Sequence, residues 1–253
     1  MKPPIVLITG ATSGFGKAMA LLFAKNNYRI IITGRREDRL KELEEELKSE
    51  QHTEVLSLRF DVRIREEVDQ VLNAIPDEWK TVDVLINNAG LALGREPVNE
   101  ALVSDWEQMI DTNIKGLLYV TRVVSAWMVA RKNGTIINIG SVAGKEAYPG
   151  GNVYGATKFA VDALTKSMRI DFLPHNLRVC QIAPGAAETE FSLVRFHGDE
   201  RKAKAVYQGF IPLQADDIAE AALFIASRPM HVCINDLIIM PTAQANANHI
   251  IRN

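Results

Sequence analysis

The chain has 253 residues, 47% of them hydrophobic, and a formal net charge of −2 at pH 7. That length suits one large α/β domain, and the near-zero charge leaves no electrostatic footprint for nucleic acid or an anionic membrane. The two cysteines, Cys180 and Cys233, lack metal-ligand spacing and read as buried free thiols, and no apolar run approaches the roughly 18 residues of a membrane span; no metal is expected.

Residues 5–8, IVLI, are a short unbroken apolar run closed by Thr9-Gly10, the pattern of a buried parallel strand. Met1-Lys2-Pro3-Pro4 leads straight into it without a signal-peptide pattern, so a cytoplasmic protein is expected. After Gly16 the spacing turns helical, with Met19, Leu22 and Phe23 on one face. A second strand is predicted at 28–33 and a charged helix at 37–49, its buried stripe Leu40, Leu43 and Leu47. A strand at 55–60, a helix at 63–75 closed by Pro76 and a strand at 82–86 follow. Two helices are predicted at 99–110 and 112–130, then a fifth strand at 135–139, a loop at 140–151 and a long helix at 152–172 stopped by Pro174. The sixth strand covers 177–182; 186–213 is the least regular stretch and reads as a lid-like substrate loop. A helix at 215–227 and a seventh strand at 236–240 complete the series. Strand alternates with helix almost throughout, so a mostly parallel seven-stranded sheet with helices on both faces is expected over 1–253, its ligands beyond the carboxyl ends of the strands.

The first of those ends carries a glycine turn. Gly10, Gly14 and Gly16 let backbone approach a ligand closely, and the helix start that follows favours an anion such as a pyrophosphate. A P-loop is excluded: Ala11 stands where its first glycine belongs, and Ala18, with no hydroxyl for magnesium, follows Lys17. The pattern is T-G-x-x-x-G-x-G, not G-x-G-x-x-G. Further along, Tyr154 and Lys158 are four residues apart on one predicted helix and can face the same spot. A phenol is a poor base at neutral pH, and an adjacent ammonium favours the phenolate. Ser141 sits in Gly140-Ser141-Val142-Ala143-Gly144, which is not the hydrolase elbow G-x-S-x-G.

TGATSGFG (9–16), NNAG (87–90), Asn113, Ser141, YGATK (154–158) and PG (184–185) together resemble the short-chain dehydrogenase/reductase family in residue type and order. The resemblance implies a doubly wound Rossmann-type sheet, a nicotinamide cofactor and a catalytic set of Asn113, Ser141, Tyr154 and Lys158. In that set Tyr154 is the general acid/base and Ser141 holds the substrate oxygen. Lys158 binds the nicotinamide ribose and lowers the Tyr154 pKa, while Asn113 supports a relay water. Cofactor contacts are implied at Gly10, Thr12, Ser13, Gly14, Phe15 and Gly16, at Asp61 and Val62 for the adenine, at Asn88 and Gly90, and at Pro184, Gly185 and Thr189 for the nicotinamide end.

The end of the second strand holds Gly34-Arg35-Arg36, with no acid before Glu37, where an NAD site places a carboxylate for the ribose 2′-hydroxyl. Guanidinium groups pair with a 2′-phosphate, so Arg35 and Arg36 point to NADP. TGRREDRL (33–40), NNAGLALG (87–94), MIDTNIKGLLYVTR (109–122), GGNVYGATK (150–158) and EFSLVRFHGD (190–199) resemble the NADP-dependent 3-hydroxy acid (serine) dehydrogenase subgroup. That implies a homotetramer acting on a small hydroxy or amino acid. Ala186-Ala187 departs from it, because larger apolar residues are expected after the glycine. A carboxylate substrate needs a cation, and Arg195 is the candidate. A reductase of another carbonyl substrate, or a non-catalytic NADP-binding regulator on the same fold, stays open.

Overall fold

The computed structural model describes residues 2–253. Seven strands form one sheet: β1 (Ile5–Ile8), β2 (Arg29–Gly34), β3 (Val55–Arg59), β4 (Val82–Asn87), β5 (Gly134–Ile139), β6 (Leu177–Pro184) and β7 (Asp236–Ile239). Their order is β3-β2-β1-β4-β5-β6-β7, and every pairing is parallel. The order reverses between β1 and β4, so a crevice opens there at the carboxyl ends.

The two-residue period of the strands sorts the core. Val6, Ile8, Ile30 and Ile32 face one layer, and Ile5, Leu7 and Ile31 face the other. The first layer is covered by α1 (Gly14–Lys25), α2 (Glu37–Gln51) and α9 (Ala215–Ala226). Ala18, Ala20 and Ala24 of α1 and Ala219 and Ala222 of α9 are buried, and such small side chains let these helices approach closely. The opposite layer is built by α3 (Arg65–Asn73), α5 (Leu117–Arg131) and α6 (Asn152–Asp171), with Val68, Leu72, Val120, Val124, Val161 and Met168 inward. Each such side chain contributes about 1.5–3 kcal/mol by leaving water.

Two predicted boundaries change. The helix expected at 99–110 is α4 (Val103–Ile110), because residues 98–101 turn after Pro97, with Glu100 and Ala101 amides bonding its carbonyl. The break expected after it is absent: a π-helical turn, Asp111–Gly116, joins α4 to α5. The lid-like stretch contains two short helices, α7 (Phe191–Arg195) and α8 (Glu200–Ala205). Cys180 is buried as expected, whereas Cys233 is exposed on the chain leading into β7, with its sulfur 3.9 Å from that of Cys180. Among the described residues no helix is long and apolar enough to cross a membrane.

A buried polar chain crosses the second layer. Asn87 Nδ2 donates to Thr121 Oγ1 and Asn138 Oδ1, both at 2.8 Å, and Asn138 Nδ2 donates to Thr165 Oγ1 on α6 at 2.9 Å. Asn138→Ala leaves Asn87 and Thr165 short of a partner in the interior and is expected to cost about 1–3 kcal/mol. A lowered urea midpoint at unchanged slope is the expected reading.

Candidate active site

The β1 turn is tied to the end of β4. Asn88 Nδ2 donates to the carbonyls of Thr9 (2.9 Å) and Gly10 (3.1 Å), and Thr9 Oγ1 accepts from the amides of Asn88 and Ala89, both at 3.0 Å. Gly10 (φ 65°) and Gly14 (φ 50°) hold left-handed conformations that suit glycine. Gly16 is required for a different reason, since a Cβ there would stand 2.3 Å from the Gly10 carbonyl oxygen and 2.6 Å from Asn88 Nδ2. The start of α1 thus lies directly against the turn, its first amides open toward the crevice.

Across β5, the first turn of α6 sets Tyr154 and Lys158 on one face. Both are buried, and Lys158 Nζ lies 5.9 Å from the Tyr154 ring centre. Lys158 Nζ donates to the Ile139 carbonyl at 2.9 Å and has no carboxylate partner among the described residues. Burial alone pushes its pKa down to about 8. Burial pushes the Tyr154 phenol up to about 12, against the smaller downward pull of a hydrogen bond with Ser141 and of the Arg195 charge. The Lys158 ammonium spends its hydrogen bond on the Ile139 carbonyl rather than on the phenol, and burial keeps the phenol protonated. Ser141 caps a short turn, its Oγ accepting from the Ala143 amide at 3.1 Å and lying 3.5 Å from the Pro184 carbonyl.

Asn113 stands in the π turn. Its Nδ2 donates to the Leu91 carbonyl (2.8 Å) and Thr157 Oγ1 (3.0 Å), while Oδ1 accepts from the Leu91 amide (2.9 Å). Both amide protons are spent on holding the loop after β4 to α6. A relay water held by Asn113 rests on its backbone carbonyl or on the remaining Oδ1 lone pair.

At the opposite end of the crevice, Arg36 folds back over the glycine turn. Its Nε and Nη2 donate to Thr12 Oγ1 (3.2 and 2.9 Å) and Nη2 also to Ser13 Oγ (2.9 Å). Glu190, from the lid, pairs with Arg36 Nη1 at 3.0 Å and with Arg39. Burial works to raise the Glu190 pKa, but the Arg39 and Arg36 hydrogen bonds outweigh it and keep the carboxylate below its ordinary value. Arg35 faces Asp61 at 3.7 Å, and Asp61 is gripped by Arg63 at 2.7 Å. Burial opposes that ionisation too, and the Arg63 hydrogen bonds prevail.

These groups surround one cavity of about 440 Å³. The predicted Gly10, Thr12, Ser13, Gly14, Phe15, Arg35, Arg36, Asp61, Val62, Asn88, Gly90, Ser141, Tyr154, Lys158, Pro184, Gly185, Thr189 and Arg195 all line it. Gly16 and Asn113 do not; they stand behind the wall and shape it. The Thr112 hydroxyl is buried in the wall without a protein partner. Arginines at one end, glycine backbone between and a lone ammonium at the other fit a long, phosphate-bearing dinucleotide.

The irregular stretch 186–213 lies over the Tyr154 end of the crevice. Arg195 Nη2 donates to the Tyr148 hydroxyl at 2.9 Å and Nε to the Gly94 carbonyl at 3.2 Å, with its guanidinium 5.3 Å from the Tyr154 ring centre. No carboxylate among the described residues pairs with Arg195 or with neighbouring Arg95. Burial and the Arg195 charge both push the Arg95 guanidinium below its ordinary value. Ala186-Ala187 is braced elsewhere in the chain: the Ala186 amide donates to Gln244 Oε1 at 2.7 Å, and Tyr207 donates to the Ala187 carbonyl at 2.8 Å. Gln244, Tyr207, Tyr148 and Arg95 escape a sequence reading because none belongs to a quoted motif. Glu190 opens EFSLVRFHGD, but that motif does not show that its carboxylate reaches Arg36 and Arg39.

Residues 4–198 match the short chain dehydrogenase family. The NADP-dependent 3-hydroxy acid dehydrogenase of Salmonella typhi is 48% identical over 244 residues, 96% of this chain and 97% of the relative. Sulfoacetaldehyde reductase 2 of Chromohalobacter salexigens is 48% identical over 242 residues, 95% of each chain. The closed form of serine dehydrogenase complexed with NADP+ superposes with a TM-score of 0.92 at 47% identity, over 98% of this chain and 99% of that one.

Two outcomes follow from the geometry. Gly16→Ala is expected to displace the β1 turn and weaken dinucleotide binding at least tenfold, measured by titration of the folded variant. Lys158 binds its proton less readily in the folded chain than in the unfolded one, so burying the ammonium costs stability below pH 8, a cost relieved as pH rises toward 10.5. Ligand-free Lys158→Met is therefore expected to be more stable than the parent at pH 7, by up to about 3 kcal/mol, with the gap narrowing above pH 8. Chemical denaturation at pH 7 and 9 reads it.

Proposed function

The chain belongs to the short-chain dehydrogenase family, and we propose that it is an NADP-dependent oxidoreductase acting on the 3-hydroxyl, or the corresponding semialdehyde carbonyl, of a short hydroxy or amino acid such as serine. One observation carries the reading. A buried phenol, a serine hydroxyl and an unpaired ammonium meet at one end of a cleft that has arginines for a 2′-phosphate at its other end and an arginine without a counter-charge over the reacting position. Both relatives above are named for small substrates that carry an acid group close to the reacting carbon.

When bound, NADP supplies the nicotinamide carbon that accepts or gives the hydride. Lys158 is placed to hold ribose hydroxyls, which give its ammonium the partners that the protein does not. Ser141 Oγ and the Tyr154 hydroxyl hold the substrate oxygen between them. In reduction Tyr154, which starts protonated, gives its proton to the developing alkoxide. In oxidation the phenolate takes the hydroxyl proton, and Lys158 and Arg195 are the charges near enough to favour that form. Asn113 keeps the loop after β4 and α6 in register so that these atoms converge. Arg195 binds the acid group of the substrate, and the bond it donates to Tyr148 fixes where that group lies. Residues 186–213 act as the lid of a single domain, 1–253. The reading extends to a homotetramer in the cytoplasm, with a scattering mass four times that of one chain.

Turnover is followed by NADPH absorbance with L-serine and 3-hydroxypropionate, supplied with NADP or NAD. Activity with NADP is expected, and Tyr154→Phe is expected to lower kcat by about 10²–10⁴. Arg195→Ala is expected to raise KM for the hydroxy acid about tenfold or more while leaving oxidation of an uncharged alcohol unchanged. Arg35→Ala and Arg36→Ala are expected to weaken NADP and leave NAD unchanged. Equal turnover with NAD and NADP in the parent sinks the cofactor assignment; an unchanged KM in Arg195→Ala sinks the substrate assignment.

A further inference from the structure

We propose that Glu190 is an internal competitor of the cofactor, a carboxylate that occupies the arginine pair on α2 and yields it to a 2′-phosphate. The inference rests on the NADP reading above and deepens it.

Glu190 lies 154 residues from Arg36 and 151 from Arg39 in the chain, and its carboxylate bridges both guanidiniums across the mouth of the crevice. Each oxygen takes one arginine: Oε2 meets Arg36 and Oε1 meets Arg39. Arg36 has little capacity to spare. Nε and Nη2 are spent on Thr12 and Ser13, so Nη1, which Glu190 holds, is the corner left for an external anion. A phosphate that grips Arg36 through two oxygens has to take that corner.

The charges say which ligand can do so. Two guanidiniums at the positive end of α2 face one carboxylate, because Glu37 on the same turn is paired with Lys41. One positive charge is left over. A phosphate of charge near −2 neutralises the corner more completely than Glu190 does, so the exchange favours the phosphate. A ribose 2′-hydroxyl brings no charge and leaves Glu190 in place. Only a nucleotide with a 2′-phosphate displaces Glu190, and its net affinity is lower by the cost of breaking the two ion pairs. The carboxylate also anchors the lid, since Glu190 immediately precedes α7, whose last residue is Arg195.

The test uses fragments and reads binding rather than turnover. Adenosine 2′,5′-bisphosphate and adenosine 5′-monophosphate are titrated calorimetrically into the full chain, into Glu190→Gln and into Arg39→Ala. Glu190→Gln is expected to bind the bisphosphate about three- to tenfold more tightly, with the monophosphate unchanged. Arg39→Ala is expected to weaken the bisphosphate alone. Glu190→Ala repeats the first measurement, and melting curves confirm that each variant is folded. Unchanged or weaker bisphosphate binding in both Glu190 variants, or an equal gain for both nucleotides, overturns the proposal. A parent chain that binds the two nucleotides equally overturns instead the NADP reading beneath it.

Discussion

The Asn88 amide is the tie on which the carboxyl edge of the sheet depends. It closes the two carbonyls at the end of β1 that have left the strand ladder, and Thr9 returns two hydrogen bonds to the backbone after β4. The glycine turn after β1 and the turn after β4 are therefore one object. Gly16 seals it from behind, where no side chain fits. From the next residue back, Asn87, the polar chain runs through Asn138 to Thr165 on α6, the helix that presents Tyr154 and Lys158. The distance between the glycine turn and the Tyr154–Lys158 pair is thus held by hydrogen bonds between buried and half-buried groups, which are costly to break singly.

The crevice is a place of unmatched positive charge in a chain whose total charge is −2. Lys158 has only a carbonyl, and Arg195 only a phenol and a carbonyl. Arg36 and Arg39 share one carboxylate. A ligand carrying negative charge at both ends completes what the fold leaves incomplete. The same imbalance explains why the buried phenol feels Arg195, above it in the lid, while the ammonium one turn away on α6 spends its bond on the Ile139 carbonyl.

Much of this was legible in the sequence because periodicity and glycine spacing act locally. Strand runs such as IVLI and YRIIIT, and the Leu40, Leu43, Leu47 stripe, fall where the elements form. The motif residues reached the cavity because they sit at strand ends or on the first turns of helices. Contacts between distant segments could not be read. Nothing in the motif around Asn113 shows that its side chain is consumed by Leu91, nor does the spacing of Tyr154 and Lys158 reveal what burial does to each. The two cysteines are 53 residues apart in the chain and adjacent in space only through the β6–β7 pairing. The break foreseen between the helices at 110 and 112 failed for a local reason: Asp111-Thr112-Asn113 favours caps and turns, yet packing on both sides keeps the chain helical.

That π turn has a consequence for chain length. It holds one residue more than an α-helical turn would, between an α4 that buries Met109 and an α5 that buries Val120, Val124 and Met128. Removing a residue from 111–116 would let the helix relax to ordinary geometry with α5 still in phase, whereas removing one from α4 or α5 themselves would rotate everything downstream by about 100° and swing those side chains off the sheet. Adding a residue near Gly198, where a side chain would meet nothing within 4 Å, turns no helix against the core. In descendants of this chain, insertions and deletions should accumulate around Gly198 and be purged from the long helix beside it, so that the surface over the crevice can drift while the placement of Tyr154 and Lys158 is inherited intact.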